Sequence, residues 1–177
     1  MRYYSDPIIG RTLPTVVMHS VIGAGLGTHE FRVVGRETHM QMSPLLAGAP
    51  STDKGILFGQ VVDCAGNPLR GAQIVLVDEE GMPLLGQQRF YSEANAPSAD
   101  KLYTTLDGWW FIGEVPTGDW TVSVWVNDAD LGHIQVAEVP TVSMLDTNTV
   151  SPVTVWTRSD AHVGHIDGIV YPNSCTE

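Results

Sequence analysis

Positive charge is scarce in this sequence: 9 Lys and Arg stand against 20 Asp and Glu, for a formal net charge of −11. Phosphate backbones and anionic membrane surfaces demand clustered cations, so nucleic acid and such surfaces are excluded as partners. Cysteine is scarcer still. Cys64 and Cys175 are the only two, and they match no zinc or redox spacing. Two readings stay open for them. One is a disulfide pinning the C-terminal tail to the body of the protein, which would contribute about 2–4 kcal/mol and imply an oxidising compartment. The other is a pair of unrelated thiols. Long apolar runs are missing too, since none approaches the ~20 residues of a membrane span. Met1–Arg11 lacks the basic, apolar and small-residue order of a signal peptide, and a processed or trimmed form stays open.

What is present is a foldable chain of 177 residues, 43% hydrophobic and only 16% charged, long enough to bury a real core. Its centre is the stretch from Gly59 to Val124, where short apolar runs are punctuated by Gly, Pro, Asn and Asp. That is the pattern of strands joined by tight turns. Leu57, Gly59 and Val61 share one face of a first strand. Ala72, Ile74 and Leu76 share one face of a second, with Val75 and Val77 opposite. Trp120, Val122 and Val124 alternate with Thr121, Ser123 and Trp125 in the most regular strand of the chain. Lys101–Thr105 resumes the strand pattern, Asp107-Gly108 gives a hairpin signal, and His133–Val139 and Val150–Trp156 read as closing strands. About seven short strands with turns every 8–12 residues predict an all-β sandwich.

Residues 55–158 form this sandwich. Residues 1–54 are an N-terminal extension, read as a cover packed on the sandwich or on a neighbour. It includes an apolar run at Val16–Ile22, another at Phe31–Val34, and a possible short helix within Glu37–Ala47. Residues 159–177 are a C-terminal tail. Met82–Asp100 reads as a long insertion without clear periodicity, the kind of connection where function often sits.

The pattern Gly59-x-Val61-x-Asp63, Gly66-x-Pro68, Gly71-Ala72-x-Ile74, Thr105-x-Asp107-Gly108-x-Trp110-x-Ile112 and Val115-Pro116-x-Gly118-x-Trp120-x-Val122-x-Val124 resembles the carboxypeptidase regulatory-like family. The resemblance covers roughly residues 55–125. It implies a transthyretin-like (prealbumin-like) Greek-key sandwich, and a non-catalytic module of secreted or surface proteins used as spacer, adhesive unit or sugar-contacting domain.

Three candidate sites follow. If Trp110, Ile112 and Trp120 fill the core, alternation sends Trp109, Phe111 and Trp125 to the opposite face, where neighbouring strands would gather the rings. Such a row binds sugar rings or buries in a partner interface, with Phe90 and Tyr91 of the insertion adding contacts. The bland alternative is that the extension or the insertion covers it. The second site is the tail His162-x-x-His165-x-Asp167, whose imidazoles and carboxylate suit a divalent metal such as zinc, nickel or copper. An exposed polar tail without fixed geometry explains those residues more simply. The third is catalytic. Thr105-x-Asp107-Gly108 followed by His133-Ile134 is faintly similar to intradiol dioxygenases, whose iron takes two Tyr and two His. Val77–Leu85 holds no tyrosine, Gln135 stands where a second His is expected, and Tyr91 and Tyr103 are loosely placed. Glu79/Glu80 and Asp128/Asp130 read as solvated turns, or at most a weak calcium site. No G-x-S-x-G or phosphate-binding loop is present.

The expectation is therefore a non-catalytic, extracellular or cell-surface module acting in binding or assembly, with no cofactor and with protein (a second copy included) or carbohydrate as partner. The alternatives are a dedicated carbohydrate-binding module and a metal-dependent, intradiol dioxygenase-like oxygenase.

Overall fold

Strands of alternating polarity can hide their apolar side only against a second layer, and the chain supplies two. The computed structural model describes residues 2–4, 15–18, 53–63, 66–87, 89–93, 96–128, 131–145, 147–155, 164–166 and 169–171. Among the described residues every regular element is a strand, and there is no helix. The strands are β1 (Arg2–Tyr4), β2 (Thr15–Met18), β3 (Lys54–Val62), β4 (Ala72–Val77), β5 (Arg89–Glu93), β6 (Ala96–Ser98), β7 (Trp109–Pro116), β8 (Gly118–Asp128), β9 (Gly132–Ser143), β10 (Asn148–Val150), β11 (Val153–Thr154), β12 (Gly164–Ile166) and β13 (Ile169–Tyr171).

Sheet I runs β1-β2-β10-β3-β7-β5-β6, with β11 also on β3; sheet II runs β13-β12-β8-β4, with β9 on the remaining side of β8. The connections β3–β4, β4–β5, β7–β8 and β9–β10 each change layer. This is the over-and-back course of the expected Greek-key sandwich. Between the layers lie Leu57 and Val61 of β3, Ala72, Ile74 and Leu76 of β4, Trp110, Ile112 and Val115 of β7, and Val122, Val124 and Val126 of β8. Trp120 is half-buried against this core, and its indole Nε1 donates to the Pro116 carbonyl at 2.9 Å.

Several expectations need correction. The Met82–Asp100 segment is no structureless insertion, because it holds β5 and β6, and β5 pairs with β7 from Arg89↔Ile112 to Tyr91↔Trp110. Lys101–Thr105 is not a strand but irregular, bent backbone. Asp107-Gly108 does turn the chain into β7, with Gly108 at φ 67°, but no hairpin forms there, since β6 pairs with β5. The Val150–Trp156 run is broken at Ser151-Pro152 into β10 and β11. Both pair with β3 in parallel. Within the described part of the N-terminal extension, β2 packs on the sandwich at the edge of sheet I, parallel to β10 through Thr15↔Asn148 to Val17↔Val150. Phe31–Val34 and Glu37–Ala47 lie outside the described residues.

The free edge of β4 is closed by side chains and loops. Ala72 N–H donates to Thr104 Oγ1 at 2.9 Å, Thr104 N–H returns to the Ala72 carbonyl at 2.8 Å, and Thr104 Oγ1 donates to the Leu69 carbonyl at 2.7 Å. Ile74 N–H donates to the Tyr91 hydroxyl at 3.0 Å, and Leu84 N–H reaches the Leu76 carbonyl at 2.8 Å. An exposed strand edge invites pairing with other chains, and these contacts engage the N–H and carbonyl of Ala72, the N–H of Ile74 and the carbonyl of Leu76.

Burial pushes the Tyr91 phenol above its usual value, only partly opposed by the hydrogen bond from Ile74 and by nearby Arg89. A raised value in the folded state means that the contribution of the neutral phenol is intact below about pH 10 and is lost as pH climbs through the folded value. Tyr91→Phe is expected to cost about 1–3 kcal/mol at neutral pH, because Ile74 N–H loses its acceptor. It should also flatten the alkaline limb of stability. Urea unfolding at pH 7 and then upward from about pH 9 checks both; an alkaline limb as steep as wild type would contradict this account of Tyr91.

Candidate functional site

Each layer has an outer face, and the structure distributes the aromatic side chains over both. On sheet I, register aligns Val150, Phe58, Phe111 and Phe90 across β10, β3, β7 and β5. Phe58 and Phe111 stack with centroids 5.9 Å apart, and Trp109 lies 6.4 Å from each of them. This face is not open: Phe90 is 4%, Phe58 and Ile56 5%, and Val150 7% exposed. Trp109 and Phe111 are half-buried against these side chains.

The expectation that Trp109, Phe111 and Trp125 share one face is wrong, and the cause is the turn at Pro116–Gly118. It carries the chain from β7 in sheet I to β8 in sheet II. The outward directions of the two strands therefore point to opposite sides of the molecule. Nor do Phe90 and Tyr91 contribute an outer contact surface. Phe90 belongs to the sheet I row but is only 4% exposed, and Tyr91, 3% exposed, points inward with its hydroxyl on β4.

The outer face of sheet II is built around Trp125. Register places Gln73 of β4 on one side of it and Gln135 of β9 on the other, with Ser123 flanked by Val75 and Glu138 in the next row. The His133 ring lies 5.0 Å from that of Trp125, inclined at 38°. A bulge in β9 makes this grouping possible. Val124 opposes Ala137 and Trp125 opposes Gln135, so Val136 is an extra residue. The inward set then shifts from Ile134 and Val136 to Ala137 and Val139. Gln135 and Glu138, three apart, consequently face the same way. Gln135 Nε2 donates to Ser123 Oγ at 2.7 Å and to Glu138 Oε1. Strict alternation hides this pairing, and no signal in the chain marks the bulge.

A second polar group secures the entry to β7. Asp107 Oδ2 accepts from Ser92 Oγ at 2.5 Å, Thr105 Oγ1 donates to the Ser92 carbonyl at 2.5 Å, and Gln60 Nε2 donates to the Asp107 carbonyl at 2.8 Å. These bonds tie the turn to β5 and β3. At the other end of the sandwich, Asp78, Glu79 and Asp119 line a hollow beside Trp120, but Asp78 Oδ1 already accepts from Met82 N–H at 2.7 Å to close its own turn.

The remaining candidates do not converge. Tyr91 points into the core, whereas His133 stacks on the outer face of sheet II, so the two could not share an iron. His165 lies in β12, its backbone opposite Val170, while His162 and Asp167 fall outside the described residues. Among the described residues no three His, Cys, Asp or Glu are grouped to hold a metal. Cys64 and Cys175 also lie outside the described residues. No helix among those described is long and apolar enough to cross a membrane.

No protein-family model matches this chain, and no curated protein does. Two solved structures similar to part of it are crystal structures of BcpA, the major pilin subunit of Bacillus cereus. Identity is 15% and 18%, with TM-scores of 0.34 and 0.33, over 58% and 61% of this chain. The chain spans 29% and 31% of those proteins' length, and at such scores the likeness carries no weight for function.

Proposed function

We propose that this chain is a non-catalytic binding or assembly module of an extracellular or cell-surface protein, built on a sandwich of the carboxypeptidase regulatory-like kind. The observation that carries the reading is the placing of half-buried aromatic side chains on both outer faces of one scaffold. Trp109 and Phe111 lie on sheet I and Trp125, with His133, on sheet II. Strands whose inner sides are locked in the core hold such side chains in fixed positions, which lowers the ordering cost of binding. The −11 net charge directs the module away from polyanions and leaves protein or neutral carbohydrate as partners.

Size-exclusion chromatography with light scattering tests assembly. Concentration-dependent association that Trp109→Ala weakens is the expected result. A strict monomer at every concentration, unaltered by Trp109→Ala or by Trp125→Ala, would remove self-assembly from the reading.

A further inference from the structure

The geometry points to a ligand for the outer face of sheet II: we infer that Trp125, Gln73 and Gln135 form a binding platform for a neutral pyranose chain. This rests on the reading of the protein as a binding module and names the partner of one of its faces.

The argument starts from the chemistry that the three strands bring together. A pyranose ring has an apolar C–H side and a rim of hydroxyls. It therefore needs a flat ring to lie on, with groups beside it that both donate and accept hydrogen bonds. Trp125 supplies the ring, and its cross-strand neighbours on both sides are side-chain amides. An amide carries donors and an acceptor side by side: Gln73 can present both to adjacent hydroxyls on a sugar, while Gln135, whose two N–H hydrogens go to Ser123 and Glu138, offers its carbonyl oxygen as an acceptor. Gln135 is held in place by its bonds to Ser123 and Glu138, so part of the ordering cost is met before a ligand arrives.

Charge decides against anionic ligands. Outward positions around Trp125 include Glu138 and no Lys or Arg on the paired stretches Gln73–Val77, Thr121–Asn127 and His133–Pro140. A sulfated or uronic chain would meet repulsion there. Area decides against a second copy. Interfaces stable enough to hold two chains bury on the order of 1,000 Å² around an apolar centre. This face offers the Trp125 ring, with the smaller His133 ring inclined beside it, and Val75 and Val77, set among Gln, Ser, Thr and Glu.

The test is a titration of the ¹⁵N-labelled full chain with four soluble probes, the hexasaccharides of cellulose, xylan, chitin and starch, followed by amide and indole resonances. The expected result is a saturable shift of the Trp125 indole N–H and of the Gln73 and Gln135 side-chain amides with at least one probe. The dissociation constant should lie between about 1 µM and 1 mM. Trp125→Ala should weaken it by about tenfold or more, the loss of one stacking contact, and Gln135→Ala by a smaller factor. Both side chains lie outside the core, and a dispersed spectrum of each variant confirms folding. No shift with any of the four probes, or shifts that persist unchanged in Trp125→Ala, would overturn the inference. Shifts of the Trp125 indole on raising protein concentration alone would overturn it in favour of a second copy, leaving the binding-module reading intact.

Discussion

Gly59→Ala is expected to cost about 3 kcal/mol, the upper part of the range for overpacking, and to lower Tm by roughly 6–12 °C. A Cβ at this position would drive into the carbonyl oxygen of Ser151 and stand 2.7 Å from its carbon and 2.9 Å from Trp110 Cζ2. The carbonyl cannot yield, because Ser151 belongs to the break between β10 and β11. There the chain comes close to β3, and Ser151 N–H bonds to the Phe58 carbonyl at 2.8 Å. Gly81→Ala is the control. Gly81 has φ 78° with nothing within 4 Å of its would-be Cβ, so only conformational strain of about 1 kcal/mol should appear. Thermal and urea unfolding of both variants separates the two causes. Equal losses would show that close approach is not what the position requires.

Trp110→Ala should cost about 3–5 kcal/mol, a large share of the stability of any domain of this size. The side chain is fully buried between the sheets, in register with Gly59 on one side and Tyr91 on the other. Trp110→Phe is the more informative variant. The indole Nε1 of Trp110 is buried and has no hydrogen-bond partner. Phenylalanine keeps much of the ring volume and removes that unsatisfied donor, whose burial costs about 1–3 kcal/mol. The expected loss is therefore less than half that of alanine. Urea midpoints decide, and a phenylalanine variant as unstable as the alanine one would mean that the indole N–H is satisfied in solution.

These two positions also mark how far the chain could be read from its residues alone. Gly59 and Trp110 stand in the motif that pointed to the fold, and the inward sides of β3, β4 and β8, and of β7 as far as Ile112, follow from simple alternation. Alternation fails where the backbone does not alternate. The register of β3 with β7 shifts between Gly55 and Leu57, and Glu114 of β7 adopts φ 56°, so Ile112 and Val115, three apart, both point inward. Val136 has the same effect in β9. Strand β5 escaped notice because it lies inside sheet I with Phe90 buried on one side and Tyr91 on the other, leaving no polar face to set a period. The Trp125 platform was half legible. That its side chain points outward was readable. Which layer it points from depends on a turn that crosses the sandwich, and its partners Gln73 and Gln135 come from strands distant in sequence.

The pinning of β4 has a consequence for how the molecule comes apart. The hydroxyls that complete its border belong to Thr104 and to Tyr91 of the opposite layer, 32 and 17 residues away from the amides they serve. Neither layer can therefore persist without the other, since peeling sheet I away strips Ile74 of its acceptor just as the apolar interior is flooded. Native-state hydrogen exchange should find the amides of Ala72 and Ile74 opening only at the free energy of global unfolding, together with those of β7, and not in a lower-energy partial event.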